Sequence, residues 1–182
     1  TPPTEGSLAQ LLTQTNYLFR GLGESLLEGY LPQSRPNIEK LYSSRPVYTA
    51  FQPDAPLDVL YAIVSGGPTI CRSSPLDRVI AISYPGSCFG MRNLPVGPVD
   101  AYKGFPTLVE AYKTTNVVKL PLAAIKALYQ EQDGFRERYH FLLELREKFQ
   151  YHLLNCSTYP PQAVAALLRA LIYQERSLGN QG

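Results

Sequence analysis

Short runs of alternating apolar and polar positions occupy the middle of the chain. Residues 60–65 alternate between the two faces of a predicted strand. The pair Gly66-Gly67 predicts a tight hairpin turn into a second strand at 69–72, because glycine takes the positive φ that such turns require. Residues 78–84 are rich in β-branched side chains and predict a third strand that ends at a Pro-Gly turn. This order is typical of an all-β barrel or jelly roll.

Helical patterns flank this region on both sides. Apolar residues recur at helical spacing from Leu8 to Leu27, and glycines divide the pattern into two short helices. Further strands are predicted within residues 38–51 and 107–120, and a helix follows Pro121. The fold class is therefore α+β and mainly β: a double-stranded β-helix jelly roll with N-terminal helices, a long helix and a further C-terminal helix.

The longest predicted helix, residues 134–155, is apolar on most of its sides. Two seams with the alternating four-three step of a coiled coil run along it. One flank is expected to cover the barrel and the other to meet a second copy in a parallel homodimer. The alternative is a helix buried within a single domain. The predicted dimer-interface residues are Phe135, Arg138, Tyr139, Leu142, Leu145, Arg146, Phe149, His152 and Leu153.

A last helix is predicted over residues 161–173, after which the chain turns polar. This helix has too few neighbours to form a core of its own. Either it docks back on the barrel, or it begins a second domain whose remainder lies outside this sequence.

Composition excludes several classes of protein. The net charge of +2 gives no independent support for a polyanion partner.

No apolar run is long enough to span a membrane, and no signal peptide begins the sequence, so a cytoplasmic protein is expected. The three cysteines lack metal or redox spacing and are interpreted as buried thiols. No nucleophile-base pair, phosphate loop or carboxylate pair is visible, so the protein is predicted not to be an enzyme and to need no cofactor.

Three segments resemble the cAMP receptor protein/FNR family of bacterial transcription regulators. They are LYAIVSG at 60–66, ISYPGSCFG at 82–90 and VVKLPLAAIKAL at 117–128. The resemblance, which includes cyanobacterial nitrogen-control-type members, implies a cyclic-nucleotide-binding-like sensor domain at 1–133 and a dimerisation helix at 134–156. Residues 157–182 would begin a DNA-binding domain, and its helix-turn-helix would follow Gly182, outside this chain.

The effector site of that family is altered in this sequence. Cyclic-nucleotide members use a Glu for the ribose and an Arg for the cyclic phosphate, and Met91 and the segment Phe105-Pro106-Thr107 stand in their place. We therefore expect no cAMP binding. Arg92 is expected to attract a small dianion such as a dicarboxylic acid, the alternative being a solvated loop residue. The candidate effector-binding residues are Phe89, Gly90, Met91, Arg92, Asn93, Phe105, Pro106 and Thr107.

Two other functions compete with the sensor. A cupin-like metal enzyme needs histidines on strands, whereas His140 and His152 both lie on the long helix, so no metal site is predicted. A ligand-independent dimerising scaffold would fill the pocket with its own side chains, such as Phe89, Met91 and Phe105. An empty, polar-lined cavity beside residues 90–93 would favour the sensor, and a plugged one the scaffold.

Overall fold

The computed structural model describes residues 6–31, 38–43, 45–48, 57–73, 79–97, 107–154 and 160–179. The strands are β1 (Ile38–Leu41), β2 (Val47–Tyr48), β3 (Val59–Ser65), β4 (Thr69–Ser73), β5 (Val79–Ser83), β6 (Cys88–Phe89), β7 (Thr107–Ala111) and β8 (Thr115–Pro121). The helices are α1 (Leu8–Thr15), α2 (Glu24–Tyr30), α3 (Leu122–Glu131), α4 (Asp133–Leu154) and α5 (Pro160–Gly179). In these parts of the chain, no helix has both the length and the apolar character needed to cross a bilayer.

The strands form two antiparallel four-stranded sheets. The first has the order β1-β8-β3-β6 and the second the order β2-β7-β4-β5. Consecutive strands thus tend to alternate between sheets, as they do in a jelly roll. The predicted fold class, a β-roll with flanking helices, is confirmed.

The predicted hairpin at Gly66-Gly67 is wrong. Strand β3 pairs with β6 and β8, and β4 pairs with β5 and β7, so the turn carries the chain from one sheet to the other. Gly66 does take a φ of 113°, and a Cβ there would lie 2.7 Å from the carbonyl oxygen of Thr114. The glycine pair indicates a sharp reversal of the chain. A reversal that joins two sheets can require a positive φ just as a hairpin turn does.

Two side-chain caps shape the N-terminal segment, and one of them also bonds to the barrel. Ser7 Oγ accepts from Gln10 N at 3.1 Å and begins α1. Asn16 Oδ1 accepts from Leu18 N at 3.0 Å and begins a 3₁₀ turn at Tyr17–Phe19. The amide nitrogen of Asn16 also donates to the carbonyl of Ser87 at 3.2 Å. One asparagine therefore caps a turn and joins that turn to the sheet.

Two hydrophobic clusters make up the interior. The helix–sheet core, between the helices and the first sheet, includes Phe19, Leu60, Met91, Ile125, Phe135 and Tyr139. The barrel interior, between the two sheets, includes Tyr61, Ile63, Cys71, Phe89, Val109 and Val117. The alternation along β3 feeds both clusters, since neighbouring residues point to opposite faces of a sheet.

Helix α5 contacts both α4 and the barrel. That it begins a second domain stays a prediction. The helix runs to Gly179, beyond the predicted end at 173, and packs along α4. Buried Gln174 donates from Nε2 to the carbonyl of Ile82 at 3.2 Å, which explains why a polar residue does not end the helix. Helix α5 thus covers part of α4 within the chain, while contact between α4 and a second copy stays a prediction.

Candidate functional site

A tight turn after β6 brings together four of the candidate effector residues: Gly90, Arg92, Asn93 and Thr107. Gly90 has a φ of 93° and begins a 3₁₀ turn at Met91–Asn93, and a Cβ at Gly90 would lie 2.7 Å from Leu57 Cδ2. The carbonyl of Asn93 accepts from Leu57 N at 2.8 Å. Thr107 Oγ1 donates to Asn93 Oδ1 at 3.3 Å, which ties the turn to β7. Glycine is required here because side chains rarely adopt this φ.

This turn borders a small cavity inside the barrel. The volume of the cavity is about 20 Å³, enough for roughly one water molecule. Its lining comes from the turn, from strands of the second sheet and from α4. The lining residues are Cys71, Ile80, Ala81, Gly90, Arg92, Asn93, Thr107 and Arg146.

Two arginines converge on the cavity. Burial lowers the pKa of Arg92, nearby Glu147 acts to raise it, and the positive charge of Arg146 lowers it further. Arg146 is only 8% exposed and donates to the carbonyl of Cys88 and to Ser83 Oγ, the latter at 3.2 Å. Within the described part of the chain, Arg146 forms no ion pair. Within the described residues, the hydrogen-bond partners of Arg146 are therefore neutral, and the charge of Arg92 lies nearby.

Four of the predicted effector residues line the cavity: Gly90, Arg92, Asn93 and Thr107. The other described candidates lie elsewhere. Phe89 stacks on Tyr61 in the barrel interior, with ring centroids 4.6 Å apart, and Met91 is buried in the helix–sheet core. Phe105 and Pro106 lie outside the described residues. Neither Phe89 nor Met91 is among the residues that line the cavity, whereas Arg146 is.

The sequence reasoning missed Arg146 as a site residue. It was assigned to the dimer seam, but its guanidinium reaches into the barrel. One signal was available in the sequence. Arg146 is a charged residue in a seam whose other members include Phe135, Tyr139, Leu142 and Phe149. A buried arginine needs polar partners for its guanidinium, so such a position points to a polar site. Cys71, Ile80 and Ala81 carried no comparable signal, since apolar residues on strands are ordinary.

The remaining predicted interface residues are mostly occupied within the chain. Phe135, Tyr139, Leu142, Leu145 and Phe149 are buried. Arg138 is half-buried and donates from Nε to the carbonyl of Leu18 at 3.0 Å. His152 and Leu153 lie on α4 at positions whose side chains are outside the description. Dimerisation through this seam stays a prediction.

The described residues offer little other chemistry. Burial raises the pKa of both Cys71 and Cys88 to about 11, against smaller lowering effects that include Arg146. Both thiols are therefore protonated and unreactive near neutral pH. Among the residues that the structure describes, no cluster of three His, Cys, Asp or Glu side chains could hold a metal ion.

No family model matches the sequence, and no curated protein matches it either. Solved structures do match the fold. The sensor domain of the transcriptional regulator DNR from Pseudomonas aeruginosa aligns with a TM-score of 0.54 and 15% identity, over 76% of this chain and 91% of that one. PfPKA-R with cAMP bound aligns with a TM-score of 0.54 and 14% identity, over 78% of this chain and 44% of that one.

A third match is the catabolite activator protein from Thermus thermophilus, with a TM-score of 0.51 and 20% identity over 73% of this chain and 59% of that one. The fold is that of a cyclic-nucleotide-binding domain. The expected resemblance to regulators of the cAMP receptor protein/FNR family is thereby confirmed at the level of the fold. Similarity to cyanobacterial nitrogen-control members is not shown.

Proposed function

We propose that this chain is the sensor and dimerisation part of a DNA-binding transcription regulator, and that its barrel holds a small anion in place of a cyclic nucleotide. The observation that carries the proposal is the cavity of about 20 Å³ lined by Arg92 and Arg146. Met91 stands where cyclic-nucleotide members of the family that the chain resembles carry the Glu for the ribose, so this chain lacks that contact to a nucleotide. Two guanidinium groups suit a compact carboxylate or phosphate.

The regulator part of the proposal is supported by the fold. The DNR structure is described as the sensor domain of a transcriptional regulator, and this chain spans most of it. Residues 1–133 would be the sensor and 134–156 the dimerisation helix. Residues 157–182 would begin a DNA-binding domain whose helix-turn-helix is outside this chain, with a second copy as partner and a cytoplasmic setting. The chain would have no enzymatic activity.

Binding is tested by calorimetric titration of the 182-residue chain with succinate, inorganic phosphate and cAMP. We expect a small anion to bind and cAMP not to bind. Arg92→Gln should weaken the binding roughly 30-fold or more, because losing one partner of a buried charge pair costs on the order of 2–5 kcal/mol. Arg45→Gln, at an exposed arginine, is the matched control and should change nothing. Micromolar affinity for cAMP would contradict the proposal.

A ligand-independent dimerising scaffold is the second candidate. It is favoured by the small volume of the cavity and by the buried side chain of Arg146 among the residues that line it. If none of the three probes binds while the chain still dimerises, the scaffold function is the one to retain. Light scattering on the purified chain checks the oligomeric state, and a one-chain mass at micromolar concentration contradicts both candidates.

A further inference from the structure

An arginine of α4 packs against the 3₁₀ turn at Tyr17–Phe19, away from the barrel cavity. Arg138 donates from Nε to the carbonyl of Leu18 at 3.0 Å. Its guanidinium lies between two glycines, since a Cβ at Gly134 would be 3.4 Å from Nη1 and a Cβ at Gly21 would be 3.6 Å from it. Two positions without side chains therefore leave room for this charged group.

The guanidinium of Arg138 has donors that no described residue satisfies. Nη2 is buried, and among the described residues it has no hydrogen-bond acceptor. Nη1 also lacks an acceptor there but is not enclosed, so it forms the accessible edge of the group. Within the same part of the chain, Arg138 forms no ion pair. A charged donor that is buried without an acceptor is unfavourable, which favours an acceptor supplied by a ligand.

Two further donors lie beside this guanidinium. The guanidinium carbon of Arg20 is 5.7 Å from the centre of the Tyr17 ring, and Arg20 is exposed. The Tyr17 hydroxyl makes no hydrogen bond to another described residue. Burial raises the pKa of Tyr17, and the charges of Arg138 and Arg20 act to lower it, so the hydroxyl lies near both arginines.

The charge at this junction is positive. Burial lowers the pKa of Arg138, Tyr17 and Glu137 act to raise it, and the charge of Arg20 lowers it further. Glu137 is exposed and forms no ion pair with Arg138. Two cations and one exposed carboxylate leave a net positive charge next to an unsatisfied donor.

We propose that Tyr17, Arg20 and Arg138 form a surface site for a phosphoryl group, separate from the barrel cavity. A phosphoryl oxygen held at Nη1 of Arg138 lies at the mouth of the guanidinium fork, where a second oxygen reaches Nη2. The remaining oxygens accept from Arg20 and from the Tyr17 hydroxyl. A planar carboxylate has only two oxygens and fills this set of donors less completely. The inference does not depend on the barrel site.

Nuclear magnetic resonance on the isotope-labelled 182-residue chain tests the site. Inorganic phosphate or glycerol phosphate is added at low ionic strength, and we expect saturable shifts of the amides of residues 17–21 and of Arg138 Nε–H. Arg138→Gln should weaken the binding about 10-fold or more, because it removes charge-assisted hydrogen bonds. Tyr17→Phe keeps the ring and should weaken the binding about 2- to 10-fold. Arg20→Gln changes only an exposed side chain, so it decides the question if Arg138→Gln does not fold, with an expected weakening of about 2- to 5-fold.

Arg136→Gln is the matched control. It removes the same charge from the same helix, but the Arg136 guanidinium already bonds to Asp133 and to the carbonyls of Tyr129 and Gln130. It should leave the phosphate affinity unchanged. Glu137→Gln removes a repelling charge and should strengthen the binding about 2- to 5-fold.

Three results would overturn the inference. The first is the absence of saturable shifts at residues 17–21 with either compound. The second is equal weakening by Arg136→Gln and Arg138→Gln, which would mean a general attraction to positive charge. The third is binding that shifts only residues around the barrel cavity and is lost in Arg92→Gln, which would leave the barrel site intact. Shifts at residues 17–21 that persist in Arg92→Gln support the surface site whatever the barrel binds, and the compound that binds more tightly shows whether the phosphoryl group comes from free phosphate or from a small phosphate ester.

Discussion

The helix–sheet core and the barrel interior use the two faces of the same strands, yet they differ in chemistry. On β3, Leu60 and Ala62 face the helices, and Tyr61 and Ile63 face the second sheet. The helical side is closed mainly by aromatic and aliphatic side chains, together with Cys88 and Met91. The barrel side admits the charged end of Arg146 and keeps a small cavity whose lining is mostly apolar but includes Arg92 and Asn93.

The two interiors are therefore expected to contribute differently to the stability of the fold and to the binding of a ligand. A closely filled apolar interface loses several kcal/mol when one large side chain is truncated, because the cavity left behind does not collapse. An interior with a buried cation and unfilled space contributes less to stability but offers a site where an anion gains from low dielectric surroundings.

The largest expected effect on stability comes from a substitution in the helix–sheet core. Phe135→Ala removes a fully buried ring from the helix–sheet core and should lower the free energy of unfolding by about 3–5 kcal/mol. Ile80→Ala, at the half-buried edge of the barrel cavity, should cost about 1–2 kcal/mol. Urea titration measures both, with Tyr112→Ala as the exposed control within about 0.5 kcal/mol. Equal losses at Phe135 and Ile80 would remove the contrast.

Alkaline pH probes one thiol in each region. Cys71 lies in the barrel interior and Cys88 in the helix–sheet core, and burial raises the pKa of each to about 11 from 9.0. Because the folded pKa is the higher one, the stabilisation is complete below pH 9 and is lost as pH rises towards 11. The loss should reach about 3 kcal/mol for each thiol.

Urea titrations from pH 8 to 11 measure this loss. The pKa of Tyr139 is also raised by burial, so the comparison is between variants and not with a flat baseline. Cys71→Ala and Cys88→Ala should each flatten the pH dependence by a similar amount. If one of them leaves the slope unchanged, the thiol in that region is open to solvent.

A substitution at the turn between the sheets comes next in size. Gly66→Ala places a Cβ 2.7 Å from the backbone of Thr114 and Thr115 at positive φ, so it should cost about 1–3 kcal/mol. Gly29→Ala, in α2 with nothing within 4 Å, should instead stabilise the chain by up to about 1 kcal/mol. Thermal unfolding of the two variants gives the sign directly, and a shift of the same sign in both would contradict the role of the turn.

The smallest effect lies on the surface. Lys119 Nζ and Glu39 Oε2 are 3.1 Å apart, and both side chains are more than a third exposed. A double-mutant cycle with Lys119→Ala and Glu39→Ala should give a coupling of about 0.2–1 kcal/mol that disappears in 1 M salt. A coupling that persists in 1 M salt would mean that the pair of Lys119 and Glu39 is shielded from solvent, as a buried ion pair is.

Much of the fold follows from local patterns in the sequence. The alternation along residues 60–65 and the long apolar helix indicate which side chains must be buried. Glycine at sharp reversals indicates where the backbone needs a positive φ. The same patterns do not state which strands pair. The turn at Gly66 was therefore assigned to a hairpin although it joins two sheets.

The sequence by itself determined the β-roll, its flanking helices and the loss of the acidic residue at Met91, because these depend on residue type and on neighbours close in the chain. Only the tertiary structure decided the direction of Arg146, the position of Phe89 and the docking of α5. Each of these depends on contacts between residues tens of positions apart. A helix with apolar residues on most sides can be rotated towards several partners, and the shape of the packed barrel selects one of them.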